Sequence, residues 1–313
     1  MANSVVATAF GGPEVLTVID EPVPAPGTGQ VQVELRAVGV NPFDFKTYSG
    51  AFGSDPATLP VRPGLEGAGV VVAVGEGAAG PAGPLAVGDE VILHPGKGTY
   101  TQLLNLDAGD VLPKPSTLPW EQAAGLLATG TTAVDALTTA RVGAGDTLLI
   151  HGAAGAVGAL TVQLAVARGA TVIGTARESK HDYLRSLGAV PVAYGDGLLD
   201  RVRAAAPNGV DAAFDTAGTD EAIDTSLALV SDRDRIVTIV AFGRAAQDGF
   251  PAIGAGSPES TRIRFEARSE LIELAGRGKL DVLVAKTFPL DAAAQAHVEL
   301  QGPHASGKFV LLP

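Results

Sequence analysis

A glycine-rich turn between two apolar segments constrains the fold of this chain more than any other feature of its sequence. The turn, His151-Gly-Ala-Ala-Gly-Ala-Val-Gly158, follows the apolar run Thr147 to Ile150 and precedes the apolar-periodic segment Ala159 to Arg168. This order predicts a strand, a turn and a helix. A second apolar run, Thr171 to Thr175, follows at the distance that a βαβ unit requires. The sequence therefore predicts a parallel α/β sheet.

The spacing of the glycines indicates what the turn binds. Gly152, Gly155 and Gly158 form G-x-x-G-x-x-G, a relative of the dinucleotide fingerprint in which glycines shape the turn, admit phosphates and let helix meet strand. Backbone N–H groups and the positive end of the helix dipole favour a pyrophosphate there. A tight turn without a ligand is the alternative. The expected contacts are Gly152, Ala153, Ala154, Gly155, Ala156 and Val157.

Composition excludes several classes of function. The chain has 313 residues, a net charge of −12 and no cysteine. The negative charge repels phosphate backbones and anionic lipid heads, so we expect no nucleic-acid partner. The lack of cysteine excludes disulfides, thiolate catalysis and cysteine-ligated zinc.

One uncharged stretch has to be weighed as a membrane segment. Residues 147–167 carry no Asp, Glu, Lys or Arg and are long enough to span a bilayer. Glycines and a histidine interrupt the stretch where the strand, turn and helix need them, so we predict a buried βα unit and no membrane insertion. Met1 to Phe10 show no basic segment followed by an apolar one, and we expect a cytoplasmic protein.

The pattern of the chain changes after residue 118. Residues 1–118 contain short alternating runs, such as Val31 to Arg36, separated by turn clusters, which predicts a barrel-like β domain. From Trp120 to Ile253 strands alternate with helices, which predicts a doubly wound parallel sheet. The last run, Lys308 to Leu312, is expected to return to the first domain. The predicted domains are 1–118 with 281–313, and 119–280.

Hydrophobic periodicity places the individual elements of the second half. The predicted strands are Thr147–His151, Thr171–Thr175, Val190–Ala193, Asp211–Asp215, Arg235–Val240 and Lys308–Leu312. The predicted helices are 156–168, 179–187, 197–206, 219–230, 266–277 and 291–300.

Further motifs are spread along the chain: Ala37–Asp44, Pro63–Val71, Val87–Val91, the glycine turn, Ser186–Ala189 and His304–Val310. Together they resemble the medium-chain dehydrogenases/reductases, and within them the zinc-free quinone oxidoreductases related to zeta-crystallin and the enoyl reductases. The resemblance implies a GroES-like β-barrel domain, a Rossmann domain and NAD(P)H in the cleft between them. It also implies a homodimer acting on a small molecule.

Departures from the zinc-dependent branch of that family bear on the chemistry. Asn41 stands where those enzymes have a cysteine ligand, and Leu65 stands where they have a histidine. Alcohol oxidation without a Lewis acid loses much of its charge stabilisation. Quinones and α,β-unsaturated carbonyls delocalise the charge that hydride delivers, so hydrogen-bond donors in a dry cleft suffice. We therefore predict hydride transfer to a quinone or an enone without metal.

The residues after the second strand of the α/β half bear on the choice of cofactor. NAD-selective Rossmann folds present an acid there, whereas a 2′-phosphate needs cations. Here Arg177 and Lys180 follow the strand, with Glu178 working against a phosphate. Tyr194 resembles a tyrosine that reaches this phosphate in quinone oxidoreductases. We predict NADPH over NADH; a solvated helix start is the alternative. The candidate contacts are Thr175, Arg177, Ser179, Lys180 and Tyr194.

Further cofactor contacts follow from the resemblance alone. Thr129 resembles the helix residue near the phosphate side of the nicotinamide. Val240, Ala241 and Phe242 resemble the strand end that holds the carboxamide through its backbone. Lys308 resembles the lysine of the closing G-K-x-V motif. A packing role is the alternative for each.

On the substrate side, Asn41 is the candidate polar group facing the nicotinamide, with Asp44 and Tyr48 expected on the same loop. Asn-Pro also opens turns, so a structural Asn41 is the alternative. Phe52 stands where some enoyl reductases have a phenol. We therefore expect the proton that follows the hydride to come from solvent or from Tyr48.

Two other functions stay open at this level. An enoyl-thioester reductase needs basic side chains for carrier phosphates, but the arginines at 233, 235, 244, 262, 264 and 268 alternate with acids, as on a solvated face. A sensor or structural protein that binds NADPH without turnover is the other alternative.

Overall fold

The chain divides into two units, and the sequence of one interrupts that of the other. In the computed structural model, which describes residues 1–254, 256–302 and 306–313, the first unit comprises 1–128 and 272–313 and the second comprises 129–271. The bounds predicted for the functional domains stay a prediction. His304 and Ala305, which begin the last motif of the resemblance, lie outside the described residues.

The strands are β1 (Ala2–Ala7), β2 (Leu16–Glu21), β3 (Gln30–Val40), β4 (Gly67–Val74), β5 (Ala79–Gly80), β6 (Gly83–Pro84), β7 (Glu90–Leu93), β8 (Leu103–Asp107), β9 (Val111–Pro113), β10 (Thr147–His151), β11 (Thr171–Thr175), β12 (Val190–Val192), β13 (Ala212–Asp215), β14 (Ile236–Thr238), β15 (Val284–Pro289) and β16 (Lys308–Leu312). The helices are α1 (Pro42–Tyr48), α2 (Trp120–Thr139), α3 (Ala156–Ala167), α4 (His181–Ser186), α5 (Leu198–Ala205), α6 (Asp220–Leu229), α7 (Phe242–Asp248), α8 (Pro258–Gly276) and α9 (Ala293–Gln301).

A mixed sheet in the order β15-β16-β3-β4-β7-β9, with β8 also paired to β3, forms the centre of the first unit. The long strand β3 shows why this segment is a strand, since Val31, Val33 and Leu35 are buried while the polar residues between them are only half-buried. Such alternation fits a sheet with one face on the core. The β domain predicted from the alternating runs is confirmed.

The end of the chain returns to this sheet, as predicted. Strand β16 pairs antiparallel with β3, with Phe309 opposite Val40 and Leu311 opposite Val38. Continuing the register by one step sets Lys308 against Asn41. Strand β4 pairs with the other side of β3 and sets Gly67 opposite Val38, so the residue before it, Glu66, comes to the same end of β3.

The second unit contains a sheet in the order β12-β11-β10-β13-β14 in which every pairing is parallel. Numbered along the chain this is 3-2-1-4-5, the strand order of the Rossmann fold. The predicted doubly wound sheet is therefore confirmed. Strands β10 and β11 have the predicted bounds, and helices α3, α5 and α6 lie within a residue of theirs.

Some predicted bounds are wrong. The predicted strand 235–240 is shorter, because β14 ends at Thr238 and helix α7 begins at Phe242. The helix predicted from residue 266 begins at Pro258. Ser257 starts it, since its hydroxyl oxygen accepts from the N–H of Ser260 and its carbonyl accepts from that of Thr261, and proline fits the first helical position. No helix within the described residues is both long and apolar enough to cross a bilayer.

Candidate functional site

The glycine turn of the second unit has the geometry that its spacing predicts. Gly152 has φ +73°, a backbone conformation that favours glycine. A Cβ atom on Gly158 would lie 2.8 Å from the Cα of Ala153, so only glycine lets α3 pack this closely on the turn. Helix α3 begins at Ala156, and the N–H groups of its first turn have no acceptor within the helix. The turn therefore offers N–H groups to an anion.

Buried hydrogen bonds fix the backbone of the glycine turn. The N–H groups of Gly152 and Ala153 donate to Thr175, the first to Oγ1 at 3.2 Å and the second to the carbonyl at 3.0 Å. Ser226 Oγ donates to the carbonyl of Ala222 and therefore accepts from His151 Nε2 at 3.1 Å. Burial lowers the pKa of His151 to about 4, so this support is neutral. Thr175 itself is buried and faces the turn.

The residues predicted to bind a 2′-phosphate lie beyond two paired strands. Strands β11 and β12 pair with Thr175 opposite Val192, so Arg177 and Tyr194 each come two residues past a paired position. Both are exposed, Tyr194 by 57%. Lys180 is half-buried and closes the 3-10 turn Glu178–Lys180, which also carries exposed Ser179. The fold brings these cations and the phenol to one edge of the sheet.

A buried carboxylate that the sequence analysis did not single out organises the ends of β13 and β14. Asp215 Oδ1 accepts from the N–H groups of Ala217 and Gly218, each at 2.9 Å, and Oδ2 accepts from Thr238 Oγ1 at 2.8 Å. Thr238 Oγ1 in turn accepts from the N–H groups of Val240 and Ala241. The predicted carboxamide-binding segment is thus a turn held by Asp215. The sequence signal that could have identified Asp215 was an acidic residue at the end of an apolar strand.

The remaining residues of this predicted group differ in exposure. Val240 and Phe242 are exposed by 40% and 50%, whereas Ala241 is buried. Thr129 lies in α2 and is buried.

In the first unit, Asn41 lies in a buried cluster with Lys308 and Glu66. Lys308 Nζ donates to Asn41 Oδ1 and lies 2.6 Å from Glu66 Oε1. Asn41 Nδ2 donates to the same Glu66 oxygen at 3.1 Å, and Glu66 Oε2 accepts from the N–H of Ala128 at 2.8 Å. A Cβ atom on Gly39 would lie 2.5 Å from Glu66 Oε1, so a glycine in β3 makes room for this carboxylate.

The burial of this cluster bears on the predicted role of Lys308. Lys308 is 2% exposed and Glu66 is 1% exposed. A charged pair in such surroundings is stable only when its hydrogen bonds are satisfied. Glu66 was missed by the sequence analysis, although a lone acid in the motif Pro63–Val71 was a signal.

Asp44 and Tyr48 do not lie on a loop, which corrects that expectation. Both belong to helix α1, which starts after Asn41 with proline at its first position, and both are fully buried. Asp44 Oδ2 accepts from the N–H of Asn41 at 2.8 Å and from Tyr100 Oη at 3.1 Å. Asp44 Oδ1 is buried and has no hydrogen-bond partner in the part of the chain that the structure describes.

A histidine links the two buried phenols. Tyr48 Oη lies 2.6 Å from His297 Nδ1 and Tyr100 Oη lies 2.8 Å from His297 Nε2. Because Tyr100 donates to Asp44, it accepts from Nε2–H, and Tyr48 then donates to Nδ1. Neither Tyr100 nor His297 was singled out from the sequence, since a lone tyrosine and a lone histidine carry no spacing pattern.

Burial perturbs the titration of this network. Desolvation raises the pKa of Asp44 to about 7, against opposing effects of the Asn41 N–H and Lys308. Desolvation also raises the pKa of Tyr48 and of Tyr100, and the charge of Asp44 adds to both shifts. Burial lowers the pKa of His297 to about 4. The histidine is therefore neutral at pH 7.

Among the described residues no group of three or more His, Asp or Glu side chains is arranged to hold a metal ion.

Two family descriptions match the chain. Residues 27–119 match the alcohol dehydrogenase GroES-like domain, and residues 187–311 match the zinc-binding dehydrogenase family. A quinone oxidoreductase of Pseudomonas aeruginosa is 33% identical over 100% of both chains. The crystal structure of the Escherichia coli quinone oxidoreductase complexed with NADPH is similar with a TM-score of 0.85, at 27% identity over 99% of this chain and 100% of that one. A NAD-dependent alcohol dehydrogenase structure has a TM-score of 0.86, at 29% identity over 99% of both chains.

Proposed function

Because the chain belongs to the medium-chain dehydrogenase/reductase family, among the quinone oxidoreductases, we propose that it reduces quinones or α,β-unsaturated carbonyls with NADPH and without metal. The observation that carries the proposal is the glycine turn, in which Gly152 and Gly158 allow backbone geometry that side chains would block. The turn feeds an anion-binding helix start in a sheet of Rossmann order.

The cofactor fits the residues of the second unit. The first turn of α3, with the N–H groups of Ala156 and Val157, would hold the pyrophosphate. Gly152 and Ala153 would shape the turn instead of binding through their N–H groups, because both already donate to Thr175. The N–H groups of Val240 and Ala241 are likewise engaged by Thr238, so a carboxamide would use other backbone atoms of Val240–Phe242. When bound, NADPH supplies the hydride.

Charge favours NADPH over NADH in this proposal. Arg177 and Lys180 bring two cations to the edge beyond β11, and the exposed phenol of Tyr194 adds a hydroxyl. A guanidinium and an ammonium bind a phosphate dianion more strongly than a ribose hydroxyl. Glu178, exposed in the same turn, opposes a phosphate, so the two coenzymes have to be compared directly.

The donor set around Asn41 does not fit zinc. An ammonium group, Lys308 Nζ, already neutralises the carboxylate of Glu66 and occupies the amide oxygen of Asn41. Leu65, the residue before Glu66 in the chain, is apolar and offers zinc no side-chain ligand. Zinc prefers thiolate, imidazole and carboxylate ligands. The proposed reaction therefore has no metal-dependent step.

Of the three predicted substrate-side residues, Asn41 would be the group that contacts the acceptor. Asp44 and Tyr48 are fully buried, and Tyr48 Oη already donates to His297. They would hold α1 and Asn41 in place. The proton that follows the hydride would then come from solvent, not from Tyr48.

The structure favours neither alternative function. Four of the six arginines considered for a carrier-phosphate groove are engaged by acids: Arg235 by Asp146, Arg244 by Asp220, Asp224 and Asp248, Arg262 by Glu259 and Glu266, and Arg264 by Asp135. Arg233 and Arg268 donate to the backbone carbonyls of Leu227 and Phe265. The assay below distinguishes a thioester reductase and a non-catalytic NADPH-binding protein from the proposed function. We further propose a homodimer, which the mass in solution tests.

The test measures NADPH oxidation at 340 nm with 1,4-benzoquinone, with simple enones and with crotonyl-CoA, before and after treatment with a zinc chelator. We expect turnover with quinones or enones that the chelator leaves unchanged. Turnover with crotonyl-CoA alone would identify a thioester reductase. Tight NADPH binding by fluorescence titration without any turnover would identify a binding protein, and a loss of activity on chelation would overturn metal independence.

A further inference from the structure

The side-chain amide of Asn41 is hydrogen-bonded to both members of a buried ion pair, one at its oxygen and the other at its nitrogen. Lys308 Nζ bonds to its oxygen, Glu66 Oε1 bonds to its nitrogen, and the two charged groups lie 2.6 Å apart. Residues from three separate parts of the chain therefore meet at one amide.

The chemistry of the partners leaves one orientation for that amide. An ammonium group only donates hydrogen bonds, so the atom facing Lys308 must be Oδ1. A carboxylate only accepts, so the atom facing Glu66 must be Nδ2. An amide flipped by 180° would set Oδ1 against the carboxylate and Nδ2 against the ammonium. Both contacts would then be repulsive in a site where solvent does not screen them.

The fixed orientation determines what Asn41 offers to a ligand. Its oxygen is occupied by Lys308, whereas only one of the two N–H bonds of Nδ2 is directed to Glu66. Asn41 is 7% exposed, so its remaining polarity is that of a donor. A ligand atom that bonds to the remaining N–H must be an acceptor.

We propose that Glu66 and Lys308 are positioning residues that fix Asn41 as a hydrogen-bond donor to the carbonyl oxygen of the acceptor. This inference rests on the proposed function. When a hydride adds to the β-carbon of an enone, the C=C electron pair moves to form an enolate, and negative charge develops on that oxygen. A pre-oriented N–H stabilises this charge in the transition state. The hydride would bring its electron pair from the C–H bond of the reduced nicotinamide, which is oxidised in that same step. Solvent then protonates the α-carbon of the enolate, and the C=O bond is restored.

As a positioning residue, Lys308 has a different role from the cofactor contact that the resemblance implies. An ammonium that is 2% exposed and bonded to Glu66 and Asn41 is not placed to exchange partners without leaving a buried carboxylate unpaired. The two roles make opposite predictions about kinetics. Loss of a cofactor contact weakens NADPH binding, whereas loss of orientation lowers kcat.

The kinetic test uses Lys308→Met, Asn41→Ala and the double variant Glu66→Gln/Lys308→Met, which removes both charges at nearly constant volume and keeps the buried site neutral. The matched controls are Lys286→Met and Glu299→Gln, since that pair is joined at 2.8 Å on the surface of the same unit. Thermal unfolding of each variant checks that it is folded.

For Asn41→Ala we expect kcat to fall about 100-fold, the usual effect of removing one donor to a developing oxyanion. For Lys308→Met and the double variant we expect kcat to fall about tenfold or more, while the Kd for NADPH, measured by fluorescence, changes less than about twofold. The controls should behave as wild type. A raised Kd with an unchanged kcat in the folded double variant would overturn the proposal and assign Lys308 to the cofactor.

A second measurement needs no turnover. Selective ¹⁵N labelling of asparagine gives few side-chain amide signals, since the chain contains only Asn3, Asn41, Asn105 and Asn208. We expect one NH₂ pair with widely separated, slowly exchanging protons, and we expect the double variant to shift that pair alone. If no asparagine NH₂ signal shifts in the double variant, the fixed orientation of the Asn41 amide is contradicted. If the wild type reduces none of the acceptors, the proposed function and the acceptor role fail together, whereas the amide signals still decide the orientation.

Discussion

Tyr100 donates a hydrogen bond to Asp44 at 3.1 Å and receives one from His297 at 2.8 Å, so the phenol connects an acid and a base inside the first unit. The three residues come from helix α1, the segment before β8 and helix α9. Asp44 also accepts from the backbone of Asn41. The network therefore couples the protonation of buried groups to the start of the helix that carries the candidate site.

The acid of this network predicts a loss of stability at rising pH. The pKa of Asp44 is raised from 3.8 to about 7 by desolvation, so the folded state holds a proton that the unfolded state has released. Its contribution is full below pH 4 and is lost as the pH rises to 7, with a slope of up to about 1.4 kcal/mol per pH unit.

Urea unfolding of wild type and Asp44→Asn between pH 4.5 and 8 measures this effect. The amide keeps the shape and cannot ionise, so the fall in the free energy of unfolding across this range should be smaller in the variant. Parallel curves for the two proteins would contradict the raised pKa.

The base of the network predicts a loss of stability at falling pH. Burial lowers the pKa of His297 from 6.5 to about 4, so the unfolded state binds a proton first. The contribution of the neutral imidazole is full above pH 6.5 and is lost as the pH falls to 4.

Replacement by His297→Phe should flatten this acid-side slope, and His151, with its lowered pKa, should retain part of it. The variant should also lose about 1–3 kcal/mol at pH 7, because the buried hydroxyl of Tyr48 loses its acceptor. Unfolding curves at pH 5 and pH 7 separate the two effects. An unchanged slope in His297→Phe would show that another group causes the acid lability.

The glycine turn predicts that Gly158→Ala is damaging. The added Cβ would lie 2.8 Å from the Cα of Ala153, and overpacking of this kind costs about 1–3 kcal/mol. We expect a lower Tm and weaker NADPH binding. Gly243→Ala in helix α7 is the matched control, since its Cβ would meet nothing within 4 Å. Equal effects of the two substitutions would argue against close packing of α3 on the turn.

The exposed cation after β11 predicts coenzyme selectivity. Removal of the guanidinium by Arg177→Ala should raise the Kd for NADPH about tenfold and leave the Kd for NADH nearly unchanged, because only NADPH carries the 2′-phosphate. Arg203→Ala is the control, as Arg203 is an exposed arginine of the same unit paired with Asp200 at 3.6 Å. Equal losses for both coenzymes, or none for NADPH, would remove Arg177 from the proposed phosphate site.

Hydrophobic periodicity and glycine spacing predicted most of the strands and helices of the second unit. Strands β10 and β11 and the intervening turn follow from one apolar run, three glycines and a second apolar run. Bounds failed where a cap decides them, as at Ser257, whose hydroxyl starts α8 eight residues before the apolar periodicity becomes clear. Asp44 and Tyr48 were expected on a loop because Asn-Pro opens turns, yet the same dipeptide also starts helices.

The sequence alone therefore determined the two kinds of sheet, the glycine turn and the position of Asn41, because hydrophobic periodicity and glycine spacing act between near neighbours in the chain. Only the tertiary structure decided that Glu66 and Lys308 form hydrogen bonds with Asn41 and that Asp215 accepts one from Thr238 at the end of β14. It also decided that His297 bonds to both Tyr48 and Tyr100. The last of these contacts spans 249 residues on one side and 197 on the other. The partner of a buried polar group is set by which strands and helices pack together, and no local pattern records that.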